Sequence, residues 1–148
     1  MRQKIIWSAF ITTAILLCLI FLWPMSFTDA IASDTELWVQ ITDVTIENSL
    51  PNHTVVDFVF QHDSDEYVQI MQILDRYSFR RSLRTFFSDN SITGNNVGFW
   101  LHIFSDDKNM TSGGTGEVIV NSRVYRIYGG ITTNIEMMNE IRNVLVRR

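Results

Sequence analysis

"EVIVNSRVYRI", residues 117–127, holds two short apolar runs on either side of Asn121-Ser122. Val118 and Val120 alternate with Glu117 and Ile119, and alternation of this kind marks a half-buried strand. Two such runs around a two-residue break predict a hairpin. Strands joined this closely are antiparallel, so the stretch sets the fold class before any other element is placed.

The segments around it extend the pattern. Downstream, Ile135, Met138, Ile141, Arg142 and Leu145 recur at helical spacing, and Thr133 with Glu136 fits a capping box at the helix start. Upstream, "VGFWLHIF" is the most apolar strand and is expected to be central, "SDDKN" is a turn, and "MTSGG" suggests a short strand. Further back, Leu37, Val39 and Ile41 alternate and then shift phase to Val44 and Ile46, which predicts a strand with a bulge near Thr42-Asp43. "TVVDFVF" pairs with it across a turn at Pro51-Asn52. Tyr67, Ile70, Met71 and Leu74 line one face of a helix, with Asp63 as N-cap and Glu66 three residues on. "FRRSLRTFF" alternates from Phe79 and reads as another strand. The predicted order is β-β-α-β-β-(β)-β-β-α. This is an α+β domain, a mostly antiparallel sheet with two amphipathic helices on one face.

The N-terminus reads differently. Arg2 and Lys4 precede "IIWSAFITTAILLCLIFLW", 19 uncharged residues from Ile5 to Trp23. At about 1.5 Å per residue the run matches a hydrocarbon core of roughly 30 Å, so an N-terminal transmembrane helix is expected. The basic flank would stay in the cytoplasm and leave the domain extracytoplasmic. Ala30-Ile31-Ala32 offers the alternative, a signal cleaved before Ser33 and a secreted product. The expected divisions are 1–23 as anchor or signal, 24–35 as tether and 36–148 as the domain. The only cysteine, Cys18, lies in the apolar run, so the domain must be stable without a disulfide.

Charge divides the chain. Residues 33–75 hold nine acids and no Lys or Arg, and residues 76–148 hold ten bases and six acids. Four of those bases, Arg76, Arg80, Arg81 and Arg84, fall together. One reading pairs them with acids from the first hairpin, such as Asp43, Glu47 or Asp57. The other makes Arg80 and Arg84 one wall of a groove for a phosphate or carboxylate, which guanidinium forks bind bidentately. "TSGGTGE" lacks the Lys-Ser/Thr ending of a phosphate-binding loop. It reads as a turn or bulge, with Gly113, Gly114 and Gly116 as a possible ligand edge beside the loop "SDNSITGNN".

Other chemistry finds little support. His53, His62 and His102 lack zinc spacing, and "HDSDEY" lacks the calcium-loop pattern. No G-x-S-x-G motif is present, and no catalytic residue, metal or cofactor is expected. The acidic balance argues against nucleic acid. "TFF" and "GFWL" would each place an aromatic outside, and an exposed pair would mark a partner surface.

The "MRQKIIW…FLW" segment, the "VIVNSRVYRIYG" hairpin and the closing helix together resemble small membrane-anchored extracytoplasmic proteins of unknown function from Gram-positive bacteria. That resemblance implies an exported domain and carries over no site residue. The expected function is a membrane-tethered, non-enzymatic binding domain for a protein or an anionic envelope component. The alternatives are an envelope enzyme of hydrolase type and an inhibitor or immunity-type partner protein.

Overall fold

The computed structural model describes residues 2–32, 35–47, 49–87 and 98–147. Its centre is an eight-stranded antiparallel sheet. In chain order the strands are β1 (Met25–Ser26), β2 (Glu36–Glu47), β3 (Leu50–Gln61), β4 (Ser78–Arg81), β5 (Gly98–Ser105), β6 (Lys108–Ser112), β7 (Glu117–Val120) and β8 (Arg123–Ile127). Across the sheet they lie β1-β4-β8-β7-β6-β5-β2-β3. The helices are α1 (Arg2–Leu22), α2 (Phe27–Ile31), α3 (Asp65–Asp75), α4 (Arg84–Phe87) and α5 (Gly130–Val146).

The hairpin read at 117–127 is present, with Val120 opposite Arg123. Asn121 and Ser122 both take positive φ, 49° and 63°, the backbone that a tight two-residue hairpin turn requires. The strands bury one face. Leu37, Val39, Leu101, Ile103, Met110 and Val118 are fully buried there, and α2, α3 and α5 cover them with Phe27, Ile31, Ile70, Leu74, Met137 and Ile141. Within this layer Ser112 Oγ donates to Asn134 Oδ1 at 2.8 Å, and the Asn134 amide donates to the Thr115 carbonyl. Asn134 thus links α5 to β6 and to the glycine-rich turn through satisfied buried polar groups.

Several local expectations are corrected. The strand β2 runs in unbroken register from Glu36 to Glu47, with no bulge at Thr42-Asp43. Val44 is buried on the opposite face from Ile41 while Ile46 beyond it is exposed, so the apparent phase shift marks no change of register. The α3 N-cap is Ser64, whose Oγ accepts from Tyr67 N–H at 3.2 Å, one residue after Asp63. The last helix starts at Gly130 after Gly129, a turn earlier than Thr133. β4 ends at Arg81, and Leu83, which a continued strand would bury, is 61% exposed. Ser82 Oγ accepts from Arg84 N–H, Thr85 Oγ1 donates to the Val124 carbonyl, and the chain turns into α4.

Within the stretch read as a tether, residues 25–31 pack on the body. Ser26 caps α2 by accepting from Thr28 N–H, and Phe27 and Ile31 are fully buried. The Phe27 ring lies 4.4 Å from that of Phe79. The loop read at 88–96 and the cleavage point at Ser33 lie outside the described residues.

The expected transmembrane helix is also corrected. Among the described residues no helix is long and apolar enough to cross a membrane. α1 runs from Arg2 to Leu22 and ends ahead of Pro24. Its described side chains run from Ile6 to Leu22. They are nonetheless exposed, Ile6 at 67% and Phe10 at 68%.

Docking of the 25–31 segment is testable. Phe27→Ala removes a fully buried ring and is expected to cost about 3–5 kcal/mol, read as a lower urea midpoint. An unchanged midpoint would mean that this segment does not pack on the core.

Candidate functional site: a groove lined by arginines

Register places the arginines. β4 pairs with β8 so that Phe79 faces Ile127 and Arg80 faces Arg126. Phe79 is fully buried between Phe27 and the Tyr125 ring, 4.8 Å away. Successive side chains of a strand point to opposite faces, so burying Phe79 and Ile127 sends Arg80 and Arg126 together to the other side. Like charges directly opposite one another oppose the pairing. On the next strand Glu117 faces Arg126 and completes a row of two cations and one anion.

Glu117 is the acid of this cluster. It accepts a hydrogen bond from Arg84 and lies 3.6 Å from Arg126 Nε. Arg80 lies over the Tyr128 ring, 5.5 Å from its centroid, and the Tyr128 hydroxyl donates to the Leu22 carbonyl at 2.7 Å. Among the described residues neither Arg80 nor Arg81 makes an ion pair. A groove of about 560 Å³ runs between Arg80, Arg81, Arg84 and Arg126 on one side and Leu17, Cys18 and Leu22 of α1 on the other. A second cleft, about 480 Å³, adjoins it through Arg80 and Arg126 and is lined by Gly116, Tyr128 and Gly130.

The candidate residues separate accordingly. Arg80 and Arg84 both line the larger groove, Arg84 from α4 and already bound to Glu117. Gly116 reaches the adjoining cleft and accepts at its carbonyl from Ile127 N–H. Gly113 and Gly114 line neither. A Cβ on Gly113 would run into the Trp100 ring, and Gly114 holds φ +67° in open space. Two acids of the first hairpin are engaged elsewhere. Asp43 pairs with Arg142 at 3.0 Å, and Asp57 accepts from Gln40 at 2.9 Å. Arg76 pairs with Glu140 on α5. Burial, and then the Glu140 carboxylate, raise the nearby Tyr77 hydroxyl above its ordinary range.

Arg126 and Tyr128 are the site residues that spacing did not single out. Alternation in "RVYRI" does place Arg126 on the outer face, but only the β4–β8 register brings it opposite Arg80. On the sheet, Trp38 of β2 and Phe104 of β5 form an exposed aromatic pair, ring centroids 5.8 Å apart. Among the described residues no group of three His, Cys, Asp or Glu is placed to hold a metal ion.

Comparison with protein-family models, curated proteins and solved structures finds no match to this chain.

The outer face also carries a titrating residue. His102 Nδ1 lies 3.0 Å from Thr111 Oγ1, and burial lowers the imidazole below its ordinary value. The fold therefore prefers His102 neutral, while the unfolded chain takes up a proton near pH 6.5. Stability from this group is complete above that pH and is lost as pH falls below it. His102→Gln is expected to flatten the decline in unfolding free energy between about pH 6.5 and 5. An unaltered pH profile would remove His102 as its source.

Proposed function

We propose that this chain is a binding domain whose arginine groove takes an acidic amphiphile, a phosphate or carboxylate head carrying an alkyl chain. An anionic lipid of the cell envelope is such a molecule. The observation that carries the reading is Arg80 directly opposite Arg126, with Glu117 pairing Arg126 and Arg84 but not Arg80, and a flank of apolar α1 side chains. An anionic head between the guanidiniums would relieve their repulsion and accept bidentate hydrogen bonds. Leu17 and Leu22 supply apolar surface for the chain. A head without a tail would leave that flank unused, and a neutral amphiphile would leave the Arg80 charge uncompensated. The reading requires no helix to cross a bilayer. It places the protein at a membrane surface and assigns it no reaction.

Titration with dodecyl phosphate, dodecylphosphocholine and inorganic phosphate separates these contributions. The anionic amphiphile is expected to bind most tightly. A hydrogen bond to a charged group contributes about 1.5–3 kcal/mol, so Arg80→Ala or Arg126→Ala is expected to weaken binding roughly tenfold or more. Cys18 lines the same groove and is exposed, so bound amphiphile should also slow its alkylation by a maleimide. Equal affinity for the two dodecyl ligands, or for wild type and both variants, would overturn the proposal.

A further inference from the structure

The two edges of the sheet differ in kind. At one end β1 offers two residues, the sort of short edge strand that resists further pairing. At the other end β3 offers twelve, and among the described residues it pairs on one side only, with β2. Its residues from Leu50 to Asp57 are all exposed. Charges and lysines are the usual guards of such an edge, yet Asp57 is the only formal charge between Leu50 and Gln61.

Register shows which groups of this edge are free. Glu47 faces Leu50 as the last pair of a tight hairpin, and such closing pairs exchange both backbone hydrogen bonds. The hydrogen-bonded positions of β3 are then Leu50, Asn52, Thr54, Val56, Phe58 and Phe60. The remaining residues, Pro51, His53, Val55, Asp57, Val59 and Gln61, turn their backbone groups to the open side. The same parity recurs across the sheet, where Ser105 faces Lys108 and Asn121 N–H donates to the Asn109 carbonyl. Pro51, which has no N–H to give, falls on the open side, where it costs no internal bond.

We infer that β3 pairs antiparallel with β3 of a second copy of this chain, about a two-fold axis at Val55. The charges select this register. It sets His53 opposite Asp57 of the second copy, and Asp57 opposite the second copy's His53, so that every ionisable side chain of the edge meets a complement. A two-fold axis at Asp57 would instead set the two carboxylates against each other. Val55 meets its own counterpart on the axis, and 52% of its surface is exposed in the single chain. The pairing would join two eight-stranded sheets into one and leave the arginine groove, on strands at the far end, open. It is independent of what that groove binds.

On-axis placement gives a direct test. Hydrogen-bonded antiparallel partners lie about 5.5 Å apart at Cα, within the roughly 4.4–6.8 Å span of a disulfide. The full chain in mild detergent, as Cys18→Ser/Val55→Cys, is expected to form a disulfide-linked dimer under mild oxidation. Cys18→Ser/Val59→Cys places a thiol of similar exposure on the same strand, but far from its own counterpart, and is expected to stay uncrosslinked. His53→Asp should lower the dimer fraction by light scattering, and His53→Asp/Asp57→His should restore it. No cross-link at position 55, equal cross-linking at 55 and 59, or a dimer fraction indifferent to His53→Asp would overturn the inference.

Discussion

The constraint on which the site depends is the pairing of β4 with β8. Phe79 is buried against Phe27 and Tyr125, and that apolar contact fixes the register of a strand only four residues long. Sheet geometry then leaves no freedom for the next residue. Arg80 must emerge opposite Arg126. A hydrophobic interaction on one face therefore imposes an electrostatic repulsion on the other. Burial of one large aromatic side chain contributes about 1.5–3 kcal/mol, and an opposed like-charge pair costs a fraction of that, so the arrangement is stable as it stands.

A second device holds the neighbouring cleft in shape. Asn134 bonds Ser112 of β6 and the Thr115 carbonyl, which ties the first turns of α5 to the glycine-rich turn. Gly116 and Gly130 meet at that junction, and both line the cleft beside Arg80 and Arg126. Glu117 follows directly in the chain and holds Arg84 and Arg126. Packing of the last helix and the position of the one acid in the cluster are thus set by one short segment, 112–117.

Much of the sheet was legible because its signals are local. Period-two alternation with a two-residue break gave the 117–127 hairpin, and helical spacing gave the bodies of α3 and α5. Alternation also gave the two strands of the first hairpin, but Pro51 and Asn52, read as its turn, lie within β3 opposite Ile46 and Thr45. What escaped depends on contacts distant in sequence. Ser26 to Ile31 contains too few apolar residues to show a period, yet Phe27 and Ile31 are fixed by Phe79 and its neighbours. "FRRSLRTFF" alternates well enough to look like a strand, but Ser82 and Thr85 hydrogen-bond the backbone and turn the chain after Arg81. Among the site residues, Arg80 and Arg84 stood out because arginines cluster there. Arg126 and Tyr128 did not, since no spacing rule joins residues of β4 to those of β8. The apolar run at 5–23 signalled a membrane span, whereas among the described residues no helix is long and apolar enough to cross a membrane.

A double-mutant cycle on Arg80 and Arg126, read as unfolding free energy with and without an anionic amphiphile, tests the central claim most directly. Without ligand the account predicts a repulsive coupling of about 0.2–1 kcal/mol, so that removing either guanidinium relieves the other. With dodecyl phosphate bound, that repulsion should vanish or change sign. A coupling of zero in both conditions would contradict the account.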